Sequence, residues 1–137
     1  MKSRFHISLP CSGIEQTRDF YTNILGAELG RHKENWIDVN FFEHQITFIK
    51  SGNYKFTYKN YKLEDKILPS FHIGVILPVS TWHDMFRKLE NSKGLYLDKT
   101  EYLKDSKGEH ASFFVKDPNG YIVEFKCFKD ENSVFMG

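Results

Sequence analysis

Phe5-His6-Ile7-Ser8-Leu9-Pro10 and Phe71-His72-Ile73-Gly74-Val75-Ile76-Leu77-Pro78 are the two stretches whose reading decides the fold. Both open on Phe-His-Ile and close on Leu-Pro. Inside them the apolar residues alternate: Phe5, Ile7 and Leu9 in the first, and Phe71, Ile73, Val75 and Leu77 in the second. Period two is the signature of a half-buried strand. The alternation puts His6 and Ser8, and likewise His72, Gly74 and Ile76, on the opposite faces. Proline lacks an N–H, so Pro10 and Pro78 are expected to end the strands.

The residues after each proline repeat as well. Ser12 with Glu15 reads as a capping box, and Ile14, Thr17, Tyr21 and Leu25 make one helical stripe that Gly26 stops. In the second half Ser80 is the candidate cap, Trp82, Met85, Phe86 and Leu89 form the stripe, and Gly94 closes it. From the prolines onward the register is constant. Pro10 and Pro78, Ser12 and Ser80, Ile14 and Trp82, Tyr21 and Leu89, and Gly26 and Gly94 all lie 68 residues apart.

Each helix is succeeded by three strand candidates. They are 28–32, 36–41 and 44–50 in the first half, and 96–103, 110–116 and 121–128 in the second. Asp117-Pro118-Asn119-Gly120 is a turn sequence, with proline at its second position and a glycine free to take positive φ. The fold class is therefore α+β, a duplicated βαβββ module. Within a single domain of 137 residues, module 1 covers about 1–50 and module 2 about 70–128. A Lys- and Tyr-rich linker fills about 51–69, and a short tail runs over 129–137.

Composition excludes some functions. A formal charge of +1 gives no global field for nucleic acid or an anionic membrane, so neither is expected as a partner. No apolar run approaches membrane-spanning length and the N-terminus carries no signal core, so a cytoplasmic location is expected. Cys11 and Cys127 form no CxxC pair and read as free thiols. Thirteen Phe is a heavy aromatic load, and it suits a β-rich interior that forms a cavity.

Alternation then selects a candidate site. In the last strand Val123, Phe125 and Cys127 share one face, and Ile122, Glu124 and Lys126 the other. If the apolar face packs under a helix, Glu124 looks the opposite way, as do His6 and His72. Two imidazoles and a carboxylate suit a divalent transition metal and leave coordination positions open for substrate or water. The bland alternative is that each histidine is structural or exposed and Glu124 is a surface residue. Occurrence at the same place in duplicated strands favours the shared site. Ile46-Thr47-Phe48 matches Val123-Glu124-Phe125, so Thr47 stands where a second carboxylate would be. Gln45, on the face of Thr47, is a candidate to line or serve the site. His110 is a candidate acid/base group, His44 a weaker one, and His32 and His83 have no assigned role.

These features together resemble the vicinal oxygen chelate superfamily, the group of glyoxalase I, extradiol dioxygenases, fosfomycin-resistance thiol transferases and bleomycin-binding proteins. The matching residues are Phe5-His6-Ile7 with Asp19-Phe20-Tyr21 and Leu25-Gly26, then Phe71-His72-Ile73, then Asp117-Pro118-Asn119-Gly120-Tyr121 through Glu124. Trp36 to Phe42 followed by His44-Gln45 is similar to a small single-domain subgroup. The resemblance implies an incomplete, cup-like mixed β-barrel with the helices outside. It also implies His6, His72 and Glu124 as metal ligands and a substrate held through two adjacent oxygens. Thr47 departs from the four-ligand pattern of glyoxalase I.

The residues and the resemblance leave two function classes. One is a metal-dependent, dioxygenase-like enzyme acting on a small molecule, with iron(II) or manganese favoured and zinc or nickel as alternatives. In it Gln45 or His110 orients the substrate or exchanges protons. An isomerase or thiol transferase on the same metal is its close variant. The other is a metal-free protein that sequesters a small aromatic compound between rings such as Trp36, Phe41, Phe42, Phe113 and Phe114. A homodimer is expected in either case, because open sheet edges tend to pair.

Overall fold

A computed structural model describes residues 1–136; Gly137, the end of the tail, lies outside the described residues. The elements run β1 (His6–Cys11), α1 (Ile14–Asp19) with a π-helical turn over Phe20–Ile24, β2 (Glu28–Lys33), β3 (Trp36–Phe41) and β4 (His44–Lys50). They continue as β5 (Asn60–Leu63), β6 (Lys66–Pro69), β7 (Ile73–Ile76), α2 (Val79–Leu89), β8 (Leu95–Tyr102), β9 (His110–Lys116) and β10 (Ile122–Phe128). The α+β class and the duplicated βαβββ order are therefore present. The chain divides into two compact units, one of residues 1–57 with 117–120, the other of residues 58–116 with Tyr121 onward.

The first unit is a four-stranded sheet in the order β1-β4-β3-β2, with β1 parallel to β4 and the other pairs antiparallel. Helix α1 packs on β3 and β4. Under it lie Phe20, Tyr21, Leu25, Ile37, Val39, Ile46 and Phe48, all buried. The Tyr21 and Phe48 rings stand 4.7 Å apart. Pro10 does not end β1, which continues to Cys11. The strand lies at the sheet edge, where a missing N–H on the outer side costs no ladder bond. Nor does Ser12 form a capping box. The N-cap is Gly13, with no side-chain cap bond. The backbone N–H of Ser12 instead donates to Asn119 Oδ1 at 3.0 Å.

That bond belongs to a buried polar knot around the 117–120 turn. Tyr21 OH donates to Asp117 Oδ2 at 2.8 Å, Asn119 Nδ2 to Thr17 Oγ1 at 3.1 Å, and Phe56 N to Asn119 O at 2.7 Å. Gly120 sits at φ +92°, and a Cβ there would overlap the Phe56 carbonyl oxygen, so the turn demands glycine twice over.

The second unit repeats the topology as β7-β10-β9-β8, with β7 parallel to β10. Helix α2 lays Trp82, Phe86 and Leu89 on the sheet, and Trp82 Nε1 donates to the Phe125 carbonyl at 2.8 Å. Pro78 takes the N-cap position, so the helix starts ahead of the predicted Ser80 cap. It ends at Leu89, well short of Gly94.

The stretch 51–69 is more than a linker. Its second half forms the antiparallel hairpin β5–β6, whose Leu68 joins a buried cluster with Tyr102, Phe114 and Ile122. That cluster lies on the sheet face opposite the helix, since Phe114 and Ile122 alternate with the helix-facing Phe113 and Val123. The burial of Leu68, rather than any local pattern, accounts for the strands.

Candidate metal centre

Strand pairing settles which residues of the two modules are equivalent. In the first unit Ile7 pairs with Ile46 and Ser8 with Thr47. In the second Ile73 pairs with Val123 and Gly74 with Glu124. Thr47 therefore occupies the place of Glu124, and Ser8 that of Gly74.

Glu124 is buried, 8% exposed, in the middle of β10. Its Oε1 lies 3.2 Å from His72 Nε2 and 3.6 Å from Lys126 Nζ, and its Oε2 accepts from Ser112 Oγ at 2.7 Å. His72 is half-buried, just before β7, with its Nδ1 3.0 Å from the Pro69 carbonyl and its ring edge-on to Phe114. A carbonyl can only accept, so Nδ1 carries a proton and Nε2 is the atom that faces the carboxylate.

The hydrogen bond to Glu124 raises the imidazole above its ordinary value despite burial. Burial pushes Glu124 upward, but His72, Lys126 and Ser112 together outweigh it and hold the carboxyl below the usual range.

The pair supplies two of the ligands a divalent ion would need. Metal–nitrogen and metal–oxygen bonds near ~2.1 Å at roughly right angles put neighbouring ligand atoms about 3 Å apart, close to the His72–Glu124 separation. The Pro69 carbonyl fixes the tautomer that presents Nε2, and Ser112 orients the carboxylate, the supporting bonds a metal ligand needs.

The third predicted ligand, His6, opens β1 of the first unit and is exposed. Among the described residues no three His, Cys, Asp or Glu side chains are grouped closely enough to hold a metal.

The first unit has a carboxylate of its own, which strand alternation alone does not single out. Asp38 of β3 is 3% exposed and accepts from Thr47 Oγ1 on one oxygen, at 2.6 Å. Its other oxygen accepts from Gln45 Nε2 at 3.0 Å and Arg31 Nε at 2.8 Å. The available signal is a lone acid at the centre of the apolar strand Trp36–Phe41. Gln45 is thereby oriented: its amide nitrogen is taken by Asp38, and among the described residues no hydrogen bond reaches its Oε1. A cavity of about 370 Å³ opens beside it, lined by Arg4, Arg31, Asp38, His44 and Gln45 among others.

The remaining candidates fall elsewhere. His110 stacks on Tyr102 and meets the Phe128 ring at a tilt, its Nδ1 2.8 Å from the Gly108 carbonyl. It shares the face of Ser112 by alternation and also borders a 720 Å³ cleft with Trp82 and Cys127. His44 Nδ1 accepts from the Phe5 N–H, a structural bond. Both cysteines are buried free thiols, and burial pushes each thiol up. Phe41, Phe113 and Phe114 are core residues, at 5%, 0% and 1% exposure, and so cannot wall an open cleft. Among the described residues no helix is long and apolar enough to cross a membrane.

Comparison with known proteins agrees with this architecture. A glyoxalase/bleomycin resistance protein/dioxygenase from Alicyclobacillus acidocaldarius superposes with a TM-score of 0.82 at 22% identity, covering 97% of this chain and 96% of that one. The fosfomycin resistance protein FosX from Listeria monocytogenes gives 0.64 at 14% identity, covering 98% and 99%. A virulence protein from Salmonella typhimurium gives 0.62 at 20%, covering 93% and 98%. At these identities the likeness speaks for the fold. No curated protein sequence matches the chain. A family model does match, over residues 4–125, and on that match the chain belongs to the Glyoxalase/Bleomycin resistance protein/Dioxygenase superfamily.

Proposed function

We propose that the protein is a metal-dependent enzyme of the vicinal oxygen chelate type, dioxygenase-like, acting on a small molecule with two adjacent oxygens. His72 and Glu124 would hold the ion, with His6 as third ligand on the strength of the repeat. The observation that carries the reading is the His72 Nε2–Glu124 Oε1 approach of 3.2 Å, with both side chains braced from behind. Members of this superfamily commonly use divalent metals. Bound there, the ion would supply Lewis-acid stabilisation of substrate oxygens, and iron(II) or manganese would add access to dioxygen chemistry.

The chain's own groups have distinct tasks in this reading. Ser112 keeps the Glu124 carboxylate in one orientation. Gln45, its amide nitrogen committed to Asp38, offers Oε1 as an acceptor to a substrate hydroxyl. His110, with its Nδ1 on a carbonyl, keeps Nε2 for proton exchange. We place the enzyme in the cytoplasm as a homodimer. An isomerase or thiol transferase would use the same ligands without redox chemistry. The burial of Phe41, Phe113 and Phe114 removes much of the support for an aromatic sequestration cleft.

The test is the metal content of anaerobically purified protein beside its His72→Ala variant. Iron or manganese near one per site, lost in the variant, supports the reading. Zinc or nickel lost in the same way moves the chemistry to isomerase or transferase. No metal in the parent, even after reconstitution, sinks the enzyme.

A further inference from the structure

Neither the fold nor the metal ligands call for a lysine at position 126. Lys126 is two residues past Glu124 on the same strand face, with its side chain only 27% exposed and its ammonium 3.6 Å from Glu124 Oε1. That is the oxygen His72 also approaches, while Oε2 is occupied by Ser112. Lysine is expensive to draw away from water, and among the described residues its ammonium is held by this carboxylate and the nearby Phe128 ring, 5.9 Å away. The equivalent position of the first unit, two residues past Thr47, is Ile49, and it is exposed. The cation therefore accompanies the acid rather than the fold.

We propose that Lys126 is a resident counter-cation of the metal centre: it competes for Glu124 Oε1, and once that oxygen is engaged by a metal it pairs with an oxyanion of the substrate. The proposal rests on the metal-site reading and gives it a substrate class. A divalent ion held by Glu124 and a neutral His72 would keep one uncompensated positive charge, and Lys126, 3.6 Å from the same carboxylate oxygen, would add a second. A neutral diol leaves that excess uncancelled. A small chelating anion, such as a 2-hydroxy acid, cancels it and offers the ammonium a partner. Lys126 is thus a specificity-determining residue.

The experiment uses the full chain in three forms: parent, Lys126→Gln and Lys126→Arg. Calorimetric titration with Mn²⁺ alone reads the competition. Glycolate and ethylene glycol, added to the Mn²⁺-loaded proteins, read the substrate preference through the Mn²⁺ EPR signal. Lys126→Gln is expected to bind Mn²⁺ about tenfold tighter and glycolate about tenfold more weakly, with ethylene glycol unchanged. Lys126→Arg is expected to keep parental behaviour, and its thermal transition controls for folding. Equal Mn²⁺ affinity in parent and Lys126→Gln, or an unchanged glycolate preference, overturns the inference and leaves the metal site standing. Failure of all three folded proteins to bind Mn²⁺ overturns both.

Discussion

Each half of this molecule buries one carboxylate on the sheet face away from its helix, and the two are dressed almost alike. Asp38 has a hydroxyl (Thr47) on one oxygen, and a neutral side-chain nitrogen (Gln45) with a cation (Arg31) on the other. Glu124 has a hydroxyl (Ser112) on one oxygen, and an imidazole (His72) with a cation (Lys126) on the other. The acids do not occupy equivalent places. Asp38 pairs with Thr47 across β3 and β4, whereas Glu124 sits at the position of Thr47 itself.

The nitrogen separates the two. Gln45 and Arg31 present only N–H groups, so Asp38 is closed as an acceptor and serves as structure. His72 Nε2, unlike an amide or guanidinium nitrogen, can present a lone pair, and the metal proposal rests on that difference. On the proposed function, the duplicated fold keeps one cluster as a brace and the other as a reactive centre by exchanging an amide for an imidazole.

The sharpest way to break the comparison is amide substitution. Asp38→Asn either sets its NH₂ against the Gln45–Arg31 pair, donors facing donors, or keeps its oxygen there and makes the Thr47 hydroxyl turn from donor to acceptor, so that Thr47 loses its own acceptor; the change is expected to cost about 2 kcal/mol in urea unfolding. The ion-pair share is small, because Arg31 is three-quarters exposed. Glu124→Gln, in contrast, can donate to the Nε2 lone pair and still accept from Ser112, so its cost is expected to be below about 1 kcal/mol. Equal losses would show that the two clusters are not different in kind.

A smaller effect comes from the strand beneath. A Cβ at Gly74 would overlap the Glu124 carbonyl oxygen and press on its Cβ. Gly74→Ala is expected to lose about 1 to 2 kcal/mol and to weaken metal uptake by displacing Glu124. At the equivalent Ser8 the first unit already carries a side chain, and Ser8→Ala is expected to stay within about 0.5 kcal/mol. A silent Gly74→Ala would mean that β7 and β10 have more room than the register implies.

The smallest effect is on pH, in protein stripped with a chelator. His72 is raised in the folded state, so its stabilisation is complete below the ordinary imidazole value of 6.5 and is lost as pH rises through the folded value. Glu124 is lowered, so its contribution is complete above the ordinary 4.5 and is lost as pH falls through its folded value. The stability advantage of the parent over His72→Gln, followed through Tm, should therefore peak between about pH 4.5 and 6.5, at under about 1 kcal/mol. A Tm difference that keeps growing above neutrality would contradict this assignment.

The strands β3, β4 and β9 were legible to the residue, because alternation sustained between turn signals has no competing reading. The meeting of His72 with Glu124 was legible for a related reason, since period two puts both on the face away from the helix. Pro10 misled because whether a proline ends a strand depends on whether that strand is at an edge. The β5–β6 hairpin was hidden because Leu68 finds its partners Tyr102, Phe114 and Ile122 far along the chain.

By itself, then, the sequence determined the duplicated module, the helix-facing side of each strand and the residue types available for chemistry. Those come from local periodicity and from the spacing of turns. Only the tertiary structure decided that Asp38 is braced, that Gln45 is turned by it and that Lys126 shares an oxygen with His72. Such pairings depend on strand register and on side chains reaching across neighbouring strands, and neither is written in the order of residues along one of them.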